Sequence, residues 1–443
     1  MSDPPDSGRP SAHTAGRSQV LAWALWDCGS TGVSAIVATF VFPVYLTNTV
    51  GAGLPGDTSP TSWLGWALAA AGVVVAVLAP VTGIWVDAPR RRRRVLAALT
   101  GLSVVLTSAM AVVRDDHRYF WVGLVLLAAT AACTELATVP YNAMLRQLST
   151  PQTSGRISGF GWGMGYCGTV VLLLLVYLGF VSGDGDSRGL LGIAVEDGQN
   201  TRAAMLLTAV WFALFALPVL IAVPTPTPAS SERGQAIGLF SAYRKLWSEV
   251  VGEWRRDHNI VYYLLASAVF RDGLAGIFAF GGVLGVSVYG ISGANVLLFG
   301  IAASVIAAIG AMIGGLLDDR LGSKTVILGS LAAMIVVGLT MMTLSGPLVF
   351  WTLGLMLTLF VGPAQSAART LMLRMSAEGK EGIAFGLYTT TGRAVSFLAP
   401  TLFATFIAWF GTDRAGMGGL CLVLAAGLLA MLAVKVPRQE TTR

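Results

Sequence analysis

The sequence predicts an all-α polytopic membrane protein with twelve transmembrane helices in two six-helix bundles. Three observations predict this fold class. First, 55% of the 443 residues are hydrophobic and only 12% are charged, whereas about 25% of the residues in soluble domains are charged. Second, twelve apolar stretches are long enough to cross a hydrocarbon core of about 30 Å as helices. Third, the two halves of the chain repeat the same polar and glycine positions. The composition excludes a soluble enzyme, a nucleic-acid-binding protein and a disordered scaffold.

The spans follow from counting about 20 mostly apolar residues for each crossing. The predicted spans are residues 20–47, 63–86, 95–113, 119–143, 155–181, 201–223, 259–289, 293–317, 325–345, 348–371, 382–409 and 416–436. Arg146 and Arg369 lie close to the ends of the fourth and tenth spans. The first bundle therefore covers residues 20–223 and the second covers residues 259–436.

Three segments lie outside the predicted spans. Residues 1–19 are rich in Pro, Ser, Gly and Asp, which is typical of a disordered tail, and residues 437–443 form a second tail. In the linker at 224–258, apolar side chains recur at helical spacing: Phe240, Tyr243, Trp247, Val250, Val251 and Trp254. This pattern predicts an amphipathic helix on the membrane surface, although a calmodulin-type target peptide has the same pattern.

The distribution of Lys and Arg predicts the orientation. The two tails and the loops after even-numbered spans, together with the adjoining span ends, hold 22 of the 29 basic residues, and the loops after odd-numbered spans with their adjoining span ends hold 5. Because basic residues favour the cytoplasmic side, we expect both termini in the cytoplasm of a bacterial plasma membrane. The run from Arg90 to Arg94 then becomes a cytoplasmic loop facing anionic lipid, which is a better interpretation than a nucleic-acid site.

The second half of the chain repeats features of the first. Asp87 at the end of span two corresponds to Asp319 at the end of span eight, 232 residues later, and Asp27 corresponds to Asp272, 245 residues later. Two glycines of span five recur in span eleven at an offset of 227: Gly159 and Gly165 match Gly386 and Gly392. Six-span repeats around a midplane cavity are typical of secondary transporters.

The loop after span eight carries a recognisable motif. Residues 315–324 read Gly-Leu-Leu-Asp-Asp-Arg-Leu-Gly-Ser-Lys, which resembles the GxxxDRxGxK loop signature of the major facilitator superfamily. The first copy, after Asp87, departs from this signature: Ala88, Pro89 and Arg90 stand at positions where the superfamily shows other residues.

The same resemblance implies a cytoplasmic gate. It places the start of span eleven beside Asp87 and, through the repeat, the start of span five beside Asp319. A carboxylate is favoured at the positive end of a helix dipole, so we expect both to hold the gate closed and Asp87→Asn to favour the state open to the cytoplasm. Arg320 and Lys324 are the other predicted gate residues.

A narrower resemblance is to the vacuole-effluxer-like family of this superfamily. It is carried by residues 22–27 and 39–45 in span one, 141–145 and 155–166 in spans four and five, and Gln365, Arg369, 385–388, Gly392, Arg393 and Pro400 in spans ten and eleven. Trp26, Ser30 and Arg271 depart from the family's usual Tyr, Asn and Asn. Fungal relatives export amino acids from vacuoles, so the resemblance implies an amino acid or similar zwitterion as substrate.

Five ionisable residues lie more than two residues inside the ends of the predicted spans: Asp27, Glu135, Arg271, Asp272 and Arg393. Each costs about 2.5–3.5 kcal/mol at a helix centre, so they must pair, take up protons or face water. Four of them lie at a similar depth, which indicates one cavity. We expect Asp272 rather than Arg271 to face it and to pair with Arg393.

Asp27 and Glu135 have no predicted cation beside them within the first bundle. Desolvation would then raise their pKa values, which predicts proton-coupling carboxylates. The alternative is that hydroxyl and backbone groups hold them as structural carboxylates.

Four further side chains are candidate cavity residues: Trp162, Tyr166, Gln365 and Tyr388. The aromatic ones are equally explained as packing residues. The four cysteines form no CxxC pair, the three histidines lie outside the spans, and no phosphate-binding Gly-Lys-Ser/Thr loop is present. The sequence therefore predicts no metal, no cofactor, no ATP hydrolysis and no enzyme activity.

Together these features predict a monomeric secondary transporter that moves a small polar solute by alternating access, coupled to protons. A drug or lipophilic-cation exporter is the first alternative, and an exposed arginine in the cavity argues against it. A receptor or scaffold built on a transporter fold is the second alternative. Large soluble insertions would favour it, and the chain has none.

Overall fold

The computed structural model describes residues 16–183, 185–223, 244 and 258–436. Within them, twelve helical segments are long and apolar enough to cross a membrane, as the sequence predicts. The predicted linker helix lies outside the described residues, apart from 244 and 258. The tails lie outside them too, apart from residues 16–19.

The helices that make up the twelve spans have the following bounds. Spans one to six are Arg17–Ser34 with Ala35–Phe40 and Phe42–Asn48, Pro60–Val86, Pro89–Ala109, Phe120–Ala143 with Leu145–Leu148, Ser154–Val176 with Tyr177–Val181, and Gln199–Ala222. Spans seven to twelve are His258–Ser287, Gly293–Leu321, Ser323–Thr343, Pro347–Val349 with Phe350–Gly354 and Leu355–Met375, Glu381–Val395 with Leu398–Phe410, and Ala415–Ala433. Between spans five and six, strands Ser187–Arg188 and Ile193–Ala194 pair antiparallel.

Span three begins earlier than the sequence analysis places it. It starts at Pro89, so Arg90 to Arg94 lie in its first turns and the prediction of a loop is wrong. Proline is well tolerated at the first helical position, and arginine is a good helix former. The predicted start at residue 95 relied on apolarity alone, which ignores the helical turns that project beyond the hydrocarbon core.

Span eleven is broken, which the sequence did not predict. Its two helices, Glu381–Val395 and Leu398–Phe410, are separated at Ser396 and Phe397. Asp272 of span seven lies at the break, where its Oδ2 accepts a hydrogen bond from the Ala399 amide at 2.5 Å. The first amides of a helix lack intrahelical partners, so this carboxylate stabilises the start of the second helix.

Each half of the chain packs mainly within itself. In the first half, span one packs against spans five and six, and span four against spans two and three. In the second half, span twelve packs against spans seven, nine and the second helix of eleven, and span ten packs against eight and nine. The two halves meet where span five contacts span eight and where span eleven contacts span two.

The contacts between the halves are close because glycines face backbone. A Cβ on Gly159 of span five would lie 2.4 Å from the Ala311 carbonyl oxygen, and one on Gly83 of span two would lie 2.4 Å from the Gly382 carbonyl oxygen. Small residues allow helix backbones to approach in membranes. These contacts begin at the end of the molecule where spans five and eleven start, which we call the closed end.

Candidate transport cavity and closed gate

Two aspartates cap helices across the interface at the closed end. The Asp87 Oδ1 accepts a hydrogen bond from the Ile383 amide of span eleven at 3.1 Å. Asp319 accepts from the amides of Gly155 at 2.7 Å and Arg156 at 3.0 Å, at the start of span five. The two contacts are related by the repeat, and both agree with the prediction from the sequence. Burial raises the pKa of the Asp87 carboxyl to about 7.

Glu381 is the centre of a buried ion-pair cluster at the same end. Its side chain is 2% exposed and lies 2.7 Å from the Arg92 Nη2 and 2.7 Å from the Arg146 Nε. Arg92 also donates to the carbonyls of Val86 and Ala143. Spans three and four of the first half are thereby joined to the start of span eleven in the second half.

Arg374 forms a second set of ion pairs near the start of span five. Its Nη1 lies 2.5 Å from the Asp318 Oδ1, and its Nη2 lies 3.3 Å from the Asp319 Oδ1. Of the other predicted gate residues, Lys324 donates to the carbonyls of Leu432 and Val434 at the end of span twelve. Arg320 is exposed.

Beyond this closed end, a cavity of about 300 Å³ lies between the two halves. Its lining comes from spans one, four, five, ten and eleven: Asp27, Ser30, Thr31, Val33, Ser34, Val37, Ala38, Thr130, Ala131, Thr134, Glu135, Thr138, Tyr141, Asn142, Trp162, Arg369 and Arg393. Both signs of charge are present in it.

Asp27 forms an ion pair with Arg369 of span ten at the cavity floor. The Arg369 Nη1 lies 3.1 Å from the Asp27 Oδ2, and the two side chains are 4% and 13% exposed for Arg369 and Asp27. The Arg369 Nε and Nη2 donate to the hydroxyl and carbonyl of Ser158 at 3.0 and 2.6 Å. The guanidinium also lies 4.9 Å from the Trp23 ring centroid, within the range of a cation–π contact.

Aromatic stacking fixes the part of span one that carries Asp27. The Tyr141 ring lies between Trp23 and Trp26, with centroid distances of 4.5 and 4.3 Å. The Trp23 Nε1 donates to the Tyr141 carbonyl, and the Trp26 Nε1 donates to the Thr100 hydroxyl. The helical turn that precedes the carboxylate is thus held by packing and by hydrogen bonds.

Glu135 forms the second ion pair, with Arg393 of span eleven. The Arg393 Nη2 lies 2.7 Å from the Glu135 Oε2, and the side chains are 38% and 29% exposed for Arg393 and Glu135. The sequence predicts no cation beside Asp27 and Glu135 within the first half of the chain. The second half supplies an arginine to each carboxylate, so neither is unpaired.

The expected placement of Asp272 is also wrong. Its carboxylate is 7% exposed, caps the second helix of span eleven and does not line the cavity. Arg393 pairs with Glu135 instead of with Asp272. Arg271, the adjacent residue, donates to the Tyr388 carbonyl at 3.0 Å and stacks 3.7 Å from the centroid of the Tyr388 ring.

Of the four other predicted cavity residues, one lines the cavity and three do not. Trp162 lines the cavity. Tyr166 and Tyr388 are each 7% exposed and do not line it, and Tyr166 stacks on Phe278 at 6.3 Å. Gln365 is half-buried and is also absent from the cavity wall. In the described part of the chain, no group of His, Cys, Asp or Glu side chains could hold a metal ion.

No pattern in the sequence assigns Arg92, Glu381 or Arg374 to a specific contact, and Arg369 is predicted only to lie close to the end of span ten. Span ten continues to Met375, so Arg369 lies six residues inside it. The signal in the sequence is its position two residues inside the predicted end of this span at residue 371.

The sequence profile of the family described as vacuole effluxer Atg22 like matches residues 56–443. The chain belongs to this family. Among curated relatives, an uncharacterised MFS-type transporter, YxiO of Bacillus subtilis, is 22% identical over 425 residues, which cover 96% of each chain. Autophagy-related protein 22-1 of Aspergillus fumigatus is 23% identical over 65% of this chain and 49% of its own length, so the match spans about half of that fungal relative.

Solved structures establish the fold of this Atg22-like protein as that of the major facilitator superfamily. A proton:xylose symporter, XylE, matches with a TM-score of 0.70 at 15% identity over 94% of each chain. FucP in the outward conformation matches with a TM-score of 0.69 at 13% identity, over 95% of this chain and 100% of FucP.

Proposed function

We propose that this Atg22-like protein is a secondary active transporter that moves a small polar solute by alternating access. The observation that carries the proposal is the charged cavity between the two halves, below which Glu381, Asp87 and Asp319 join the halves at the closed end. Rocking of the halves would break these contacts and open the cavity to the opposite side.

The favoured substrate is an amino acid or a similar zwitterion. Asp27 and Glu135 supply negative charge, and Arg369 and Arg393 supply positive charge, in one cavity of about 300 Å³. The family description as a vacuole effluxer supports the export of a small solute. Exposed Arg393 disfavours a lipophilic cation, because a cation would meet an arginine at the cavity wall.

Coupling to protons forms part of the proposal, with Asp27 and Glu135 as the coupling groups. Because each carboxylate is paired, it takes up a proton only when its arginine moves away, which ties protonation to the rocking motion. We further propose that the closed end faces the cytoplasm of a bacterial plasma membrane, where basic side chains contact anionic lipid, and that the transporter acts as a monomer.

The first experiment is a thermal-shift screen of the purified protein against amino acids, sugars, osmolytes and drugs, because a ligand that binds the folded state raises its Tm. Flux of each hit is then measured in proteoliposomes with and without a pH gradient. Stabilisation by drugs alone would contradict the substrate class, and the absence of flux for every hit would contradict transport.

Two variants test coupling. We expect Asp27→Asn or Glu135→Gln to abolish accumulation driven by the pH gradient while exchange at equal pH persists. Asp57→Asn, on the exposed loop between spans one and two, is the matched control. If both variants accumulate solute as the parent does, then these carboxylates are structural.

A further inference from the structure

The two ion pairs of the cavity differ in exposure. Asp27 and Arg369 are 13% and 4% exposed, whereas Glu135 and Arg393 are 29% and 38% exposed. Exposed pairs contribute little net stability because water competes for both charges, and breaking a buried pair leaves a costly unpaired charge. The Glu135–Arg393 pair is therefore the one that a solute can separate.

The arginines also differ in how many of their donors are used. Arg369 donates to Asp27, to the hydroxyl and carbonyl of Ser158, and to Asn142. Ser158 in turn donates to the carbonyl of Ser366 in span ten. The hydrogen bonds of Arg369 thus join span ten to spans one, four and five, which leaves this guanidinium little capacity for a solute.

Within the described ranges, Arg393 makes a single side-chain hydrogen bond, from Nη2 to the Glu135 Oε2. Among the described residues its other guanidinium donors have no protein acceptor, and neither does the Glu135 Oε1 have a donor. Two atoms of the cavity wall are also buried without a hydrogen-bond partner in the same described part of the chain. The Thr130 hydroxyl belongs to span four, which also carries Glu135, whereas the Trp162 ring lies 5.5 Å from the Arg369 guanidinium. Of the two ion pairs, the Glu135–Arg393 pair is therefore the one whose own charged groups keep free hydrogen-bonding capacity.

We propose that Glu135 and Arg393 are the specificity-determining residues of the cavity. A solute that carries both charges separates them, with its anionic group bonded to Arg393 and its cationic group bonded to Glu135, while Asp27 and Arg369 stay paired. The two residues belong to opposite halves of the chain, so the solute replaces one direct link between the halves with a bridged one. This inference rests on the proposed transport function and specifies which residues recognise the solute.

The test uses three related probes on the purified full-length protein: L-valine, L-valinamide, which lacks the carboxylate, and 3-methylbutanoate, which lacks the amine. The same triplet is prepared for any other neutral amino acid that raises the Tm. For the parent protein, we expect the amino acid to bind at least about tenfold more tightly than either single-charge analogue, because each analogue leaves one charge of the separated pair without a partner.

The variants separate recognition from a structural role. We expect the Arg393→Gln protein to lose its preference for binding the amino acid over its amide, and the Arg393→Lys protein to keep this preference. We expect the Glu135→Gln protein to lose its preference for binding the amino acid over its des-amino analogue. Matched controls are Arg118→Gln and Glu196→Gln. Both residues are exposed, in short 3-10 helices outside the cavity, and the variants should leave all three affinities unchanged.

Three outcomes overturn the inference. One is that Arg393→Gln and Glu135→Gln weaken the binding of all three probes equally, which indicates that the ion pair has a structural role. Another is that the preferences change in Arg369→Gln and not in Arg393→Gln, which assigns recognition to the cavity floor. The third is that the parent protein binds no zwitterion but binds and transports a sugar or osmolyte. In that case transport stands and the recognition mode alone is wrong.

Discussion

Neutralising Glu381 tests whether the closed end is a gate. In Glu381→Gln, Arg92 keeps its hydrogen bonds to two backbone carbonyls but loses the carboxylate 2.7 Å away, at a site where both side chains are no more than 3% exposed. Removing one partner of a buried ion pair costs about 3–5 kcal/mol. The remaining acceptors reduce this cost, and we expect about 2–3 kcal/mol.

This cost applies only to the closed conformation, because opening the closed end hydrates Arg92. The ratio of closed to open protein should therefore fall by about 30- to 150-fold, since 1.4 kcal/mol corresponds to a factor of ten. Arg146, whose side chain is 33% exposed, contributes less because water already reaches it.

The opening is measured by electron–electron double resonance between spin labels at Arg90→Cys and Glu378→Cys. Both positions are exposed, at the starts of span three and span eleven in opposite halves. The native cysteines, of which Cys167 is exposed, are replaced first. Glu381→Gln should move the distance distribution to longer values, and Glu196→Gln should not. A folded Glu381→Gln protein with the parent's distances would refute the argument.

Two further predictions use the same label pair. Since burial raises the pKa of Asp87 from 3.8 to about 7, the closed state binds more protons than a hydrated open state. Raising the pH from about 4 to 7 should therefore favour opening, by at most about tenfold per pH unit. Asp87→Asn should remove this pH dependence and favour closure, because asparagine mimics the protonated carboxyl. This is the reverse of what the helix-dipole argument alone predicts. If Asp87→Asn instead opens the closed end at low pH, the helix-dipole argument holds. Gly159→Leu should open the closed end, because its Cβ would meet the Ala311 carbonyl at 2.4 Å, whereas Gly101→Leu, with nothing within 4 Å of its Cβ, should leave the distances unchanged.

Much of the architecture could be predicted from the sequence because it depends on local composition. The hydrocarbon core requires about 20 apolar residues for each helix, so twelve spans could be counted without knowing their neighbours. The repeat that relates Asp87 to Asp319 made both helix caps predictable, since equivalent positions in two similar halves meet equivalent helix starts. The break in span eleven has one local signal, Pro400, which has no amide proton to donate to the Ser396 carbonyl, but counting apolar residues alone carries the span through it.

The charge partners were decided by the tertiary structure alone. The sequence places Asp27 and Glu135 in the membrane, and the cost of an unpaired charge there requires them to be compensated. It does not say by what, because Arg369 lies 342 residues from Asp27 and Arg393 lies 258 residues from Glu135. Which side chains meet across the cavity depends on the rotation of each helix and on how the two halves are closed against each other. Those are set by packing over the whole interface, and no local pattern in the chain records them.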